Sequence, residues 1–105
     1  MAVHTHNKLV RDRIPDIIRQ SGKTCHTVIL DDEAYARCLR DKLQEETQEF
    51  LDSRDVEELA DIMEVVYALA AHKGYSVQQL EELRARKTAE RGGFADRVFL
   101  TLVND

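Results

Sequence analysis

The chain has 105 residues, enough for one domain (1–105) with a modest core. Charged residues make up 33% of it and the net charge is −5, which argues against a nucleic acid polymer as partner but leaves room for a small phosphate ligand held through a cation. One Pro and four Gly supply few breakers, so long helices are expected, in an all-α protein with at most a small two-stranded sheet.

Residues 1–8 read as a loose or strand-like lead-in, and His4 and His6, two apart on a terminus, as incidental rather than metal-binding. Residues 1–20 are rich in Arg and Asp and lack an apolar stretch, so no export signal is expected and the location expected is cytoplasmic. Leu9, Val10, Ile14, Ile17 and Ile18 follow helical spacing, with Pro15 in the first turn or at a kink and Gly22 ending the segment. Lys8, Arg11 and Arg13 cluster before it, as a phosphate-binding group or as a solvated basic surface.

Residues 24–30 (TCHTVIL) are short and β-branched, the best strand candidate in the first half. Cys25 and Cys38 show no metal-ligand spacing and read as small buried hydrophobes in a reducing compartment. Asp31 or Asp32 caps the next helix, expected to run to about Asp52 with Tyr35, Leu39, Leu43 and Phe50 turned inward. Leu39, Leu43, Glu46 and Phe50 step by four, three and four, which places Glu46 on the inward seam, where a carboxylate without a partner is costly.

Two carboxylate pairs, Glu46 with Glu49 and Glu58 with Asp61, are each spaced to share one helix face. Between them, residues 52–55 (DSRD) are turn and cap residues. Folded as an antiparallel hairpin about the Ser53–Arg54 bond, the chain sets Glu49 level with Glu58 and Glu46 level with Asp61. Four like charges at one height repel unless a cation joins them, and hard oxygen ligands suit Mg²⁺, with Mn²⁺ as the alternative. The bland reading is that Asp55 and Glu58 form a capping box and that the acids decorate helix starts and solvated faces.

The helix opening near Asp55 is expected to reach about Lys73. Its residues 62–71 are apolar nearly all round but broken by Glu64 and too short to cross a bilayer, so no membrane partner is expected. One small chain has little to cover them, and a second copy in a two-fold dimer is expected to do so. Gly74 suits the position after a helix end, and Ser76 with Gln79 forms a capping box opening a helix to about Glu90. Lys87 and Arg91, near its end, complement the helix dipole or serve as phosphate-binding arms. Gly92-Gly93 breaks the helix, and residues 98–103 (VFLTLV) read as a strand able to pair with 24–30. No glycine-rich phosphate loop and no Glu-x-x-His pair is present.

Glu45-Glu46-x-x-Glu49 followed by Glu58-x-x-Asp61 resembles the signature of the MazG-like all-α nucleotide pyrophosphohydrolases, a superfamily that also holds phosphoribosyl-ATP pyrophosphohydrolases and dimeric dUTPases. The opening Asn7-Lys8-Leu9-Val10-Arg11-Asp12-Arg13-Ile14-Pro15 and the closing Arg91-Gly92-Gly93-Phe94 resemble its phosphoribosyl-ATP pyrophosphohydrolase-like subgroup. The resemblance implies an antiparallel helical bundle of MazG type completed by dimerisation, as a homodimer or dimer of dimers. It implies Mg²⁺ held by Glu46, Glu49, Glu58 and Asp61, and hydrolysis of a nucleoside triphosphate or related nucleotide to a monophosphate and pyrophosphate. Glu49, or failing it Glu45, is the expected general base, and Lys87 and Arg91, with Lys8 and Arg11, the expected phosphate ligands. Only eight residues separate Glu49 from Glu58, a short gap that leaves little room for a substrate-gripping insert. Phosphoribosyl-ATP hydrolysis, a non-catalytic nucleotide-binding helical dimer and a purely structural module are the alternatives.

Overall fold

The computed structural model describes residues 2–105. It is all-helical, with four helices in the order α1 (Ile14–Gln20), α2 (Asp32–Ser53), α3 (Val56–His72) and α4 (Val77–Arg91). The centre is the antiparallel hairpin of α2 and α3; α4 approaches α3 alone. No helix is long and apolar enough to cross a membrane among the described residues.

Local chemistry sets the helix limits. Asp31 accepts a hydrogen bond from the Ala34 N–H at 2.8 Å and opens α2. Asp55 opens α3 but accepts from the Glu57 N–H at 3.2 Å, so the capping box expected with Glu58 does not form. Glu58 is thereby left for other work. At α4 the box is complete: Gln79 N–H donates to Ser76 Oγ at 3.1 Å, and Ser76 N–H donates to Gln79 Oε1 at 2.8 Å. Pro15 lies in the first turn of α1, where its missing N–H costs nothing.

The turn between α2 and α3 is Arg54-Asp55, with Arg54 in the left-handed region at φ 60°. Ser53 Oγ accepts from the Asp55 N–H at 3.1 Å and tightens it. The expected register holds at the far end of the hairpin. Tyr35 and His72, whose numbers add to the same total as Glu46 and Asp61, meet edge to face with ring centroids 5.5 Å apart.

The core of a single chain is thin. Leu39 is 2% exposed and Val65 is buried; Leu43, Phe50, Ile62 and residues 66–70 are half-buried. Much of the expected all-round apolar stretch of α3 therefore stays uncovered, with Met63 exposed. The two expected strands do not form. Residues 24–30 and 98–103 run without regular structure, and among the described residues no backbone hydrogen bond joins them. Strand composition favours a ladder but cannot supply the mate.

Candidate metal centre

The hairpin brings the predicted acids together. Glu46, Glu58 and Asp61 each present an oxygen within 4.8 Å of the others, and Glu45, Glu46 and Glu49 do the same. The four expected ligands, together with Glu45, thus fall into two overlapping triads that share Glu46. The i, i+3 steps put Glu46 and Glu49 on one face of α2, and Glu58 and Asp61 on one face of α3. The short turn keeps those faces opposed.

Glu46 is the centre of the arrangement. It is 8% exposed, and its Oε2 is buried with no hydrogen-bond partner; the Oε2 of Glu58 is in the same condition. Burial, opposed by Lys42 and reinforced by Glu49, pushes the Glu46 carboxyl above the ordinary carboxylate range. Burial and the neighbouring Glu49 and Asp61 charges push Glu58 up as well. Orphaned carboxylate oxygens crowded against like charge are what a hard dication relieves, so the residues present fit the expected Mg²⁺ or Mn²⁺.

The cations nearby differ from those expected. Lys42 contacts Glu46 Oε1 at 3.2 Å and Glu45 Oε2 at 3.4 Å. Burial disfavours its charge, but the two carboxylates outweigh that and raise its pKa. Sequence reasoning missed Lys42, although its spacing of three and four residues from Glu45 and Glu46 on one helix was the available signal. Lys8 and Arg11, expected on phosphate, touch the acids instead. Arg11 Nη2 donates to Asp61 Oδ1 at 2.7 Å, and Lys8 Nζ lies 3.4 Å from Glu45 Oε1. The segment before α1 is therefore a strap across the hairpin, seated by half-buried Leu9 and Val10. A cavity of about 70 Å³ separates it from α2 at Asn7, Cys38 and Asp41.

Lys87 and Arg91 are not brought to the cluster. Both are exposed on α4, and neither is ion-paired to a carboxylate of the triads. The part of α4 that lines a groove with α3 is Val77, Leu80, Glu81 and Arg84, against Met63, Val66 and Tyr67, and neither Lys87 nor Arg91 belongs to it.

Comparison with known proteins adds one relative. The chain is similar to an uncharacterized protein of Mycolicibacterium smegmatis, 48% identical over 50 residues, which is 46% of this chain and 51% of that protein. The chain thus spans about half the length of the curated relative it matches. No protein-family profile and no solved structure matches the chain.

Proposed function

We propose that the α2–α3 hairpin holds a divalent cation, Mg²⁺ or Mn²⁺, and that the protein hydrolyses a nucleoside triphosphate or related nucleotide between its α- and β-phosphates. The observation that carries this reading is the buried, unpartnered Oε2 of Glu46 at the crossing of two carboxylate triads. The resemblance of Glu45-Glu46-x-x-Glu49 and Glu58-x-x-Asp61 to the MazG-like signature supplies the reaction class. Glu46, Glu58 and Asp61 would hold the cation, with Glu49 completing the set from the exposed side. When bound, it would polarise the polyphosphate and offset the charge developing on it.

The chain's own groups divide the remaining work. Glu49 is exposed and has no cationic partner among the described residues, whereas Glu45 has an ammonium near each oxygen, Lys8 at one and Lys42 at the other. That difference supports Glu49 as the base that takes a proton from the attacking water. The water oxygen bonds to the α-phosphorus, the anhydride bond breaks, and pyrophosphate leaves with the bond's electron pair. Lys8 and Arg11 are near enough to turn from carboxylate to phosphate oxygen once a cation has satisfied the acids.

The test is pyrophosphate release from a nucleotide panel with Mg²⁺ or Mn²⁺. Glu46→Gln and Asp61→Asn are expected to lower kcat/KM at least 100-fold. Unchanged turnover in both variants would defeat the site assignment. A second reading, a helical module whose acids serve structure, is favoured by the ion pairs that Lys8, Arg11 and Lys42 already make. It predicts no Mn²⁺ binding by calorimetry.

A further inference from the structure

We propose that Arg11 competes with a divalent cation for Asp61, so that residues 8–11 form a strap that is released when the triad of Glu46, Glu58 and Asp61 is loaded. The inference rests on the cation site proposed above and concerns the chain's own counter-charges there.

The three members of that triad are not alike. Glu46 and Glu58 each keep a buried Oε2 with no hydrogen-bond partner. Asp61 is engaged: its Oδ1 accepts from Arg11 Nη2 at 2.7 Å, across 50 residues of sequence. The other triad is held in the same manner, with Lys8 Nζ 3.4 Å from Glu45 Oε1. The strap therefore touches one carboxylate of each triad. Glu46, which both triads share, is left to Lys42 of α2 itself.

Little else holds the strap. Among the described residues, 7–10 take part in no backbone hydrogen bond, and the Arg11 carbonyl accepts only from the Ile14 N–H, in the turn that opens α1. Leu9 and Val10 are no more than half-buried. The ion pairs of the strap are open to water. The side chains of Arg11 and Asp61 are 54% and 39% exposed, against 17% and 10% for Lys42 and Glu46. An exposed pair of this kind is weak, with a hold of about fivefold in an equilibrium constant at most. A dication attracts the same carboxylate with twice the charge and gains the oxygens of Glu46 and Glu58 as well. A guanidinium that stayed on Asp61 would face the cation across one carboxylate, where like charges repel. Arg11 is thus the group that yields, while the more buried Lys42 remains. Binding free energies are reciprocal, so the factor by which Arg11 weakens the cation is the factor by which the cation loosens Arg11.

Mn²⁺ binding to the full chain is to be measured by calorimetry in wild type, Arg11→Gln and Arg13→Gln. Arg11 lies outside every helix. Arg13 carries the same charge in the same segment but pairs with no carboxylate among the described residues. Arg11→Gln is expected to bind Mn²⁺ about three- to fivefold more tightly than wild type, and Arg13→Gln to stay within about twofold of it. Limited trypsin digestion follows the strap directly, with the cut after exposed Arg97 as the internal standard. Saturating Mn²⁺ is expected to speed the cut after Lys8 in wild type by a similar factor. In Arg11→Gln that cut is expected to be fast already and insensitive to Mn²⁺. An Arg11→Gln chain that binds Mn²⁺ no more tightly than wild type overturns the strap. So does an equal gain in Arg13→Gln, which is an effect of total charge alone, or a wild-type cut after Lys8 that Mn²⁺ does not speed. A wild-type chain that binds no Mn²⁺ overturns the cation site itself, and the strap with it.

Discussion

Glu46 sets up a conflict between stability and binding. Its carboxylate is buried among Glu45, Glu49, Glu58 and Asp61; Lys42 contacts it directly, while Lys8 and Arg11 pair with its neighbours Glu45 and Asp61. Glu46→Gln keeps the shape and removes the charge. The metal-free variant is expected to melt about 4 °C higher, the scale of a gain of about 1 kcal/mol in a domain of this length. The same variant is expected to lose Mn²⁺ affinity at least tenfold by calorimetry. A variant that melts lower and binds Mn²⁺ normally would place Glu46 among ordinary packing residues. The raised carboxyls of Glu46 and Glu58 also fix the sign of the pH response. Their folded-state values lie above the unfolded one, so their contribution to metal-free stability is complete below the unfolded value. It is lost as pH rises through the folded values. Mn²⁺ must displace the same protons, so its affinity rises with pH over that window, which begins near the ordinary carboxylate value of 4.5. Melting curves with and without Mn²⁺ should therefore diverge as pH increases from there.

Elements form where short-range signals suffice. Asp31, Asp55 and Ser76 announce the starts of α2, α3 and α4, and all three accept the expected kind of backbone hydrogen bond. The hairpin register, and with it the meeting of Glu46 and Asp61, was legible from spacing alone, because a two-residue turn leaves little freedom. What was not legible depends on long-range placement. The contacts of Lys8 with Glu45 and Arg11 with Asp61 span 37 and 50 residues, which no periodicity encodes. The placement of Lys87 and Arg91 outside the acidic cluster depends likewise on how α4 packs on α3, through Val77, Leu80, Glu81 and Arg84. The turn itself carries a correctable strain. Arg54 at φ 60° occupies a conformation that Gly adopts freely, and its side chain forms no ion pair among the described residues. Arg54→Gly is expected to raise the unfolding free energy by about 1 kcal/mol in urea, with metal affinity unchanged. A loss of stability would mean that the Arg54 side chain holds the turn by a contact of its own.

On the scale of the whole molecule, the chain is 65 Å long and 31 Å across, with its acids near the middle turn and exposed apolar residues both beside that turn, at Leu51, Val56 and Leu59, and in residues 98–103. Residues 24–30 and 98–103, both of strand-like composition, have no backbone hydrogen-bond partner among the described residues. Two copies joined about a dyad use up every free edge and stop growing. Copies joined in sequence leave an edge at either end and lengthen without limit. Unpaired apolar segments of this composition are therefore a route to fibres when many copies meet out of symmetry.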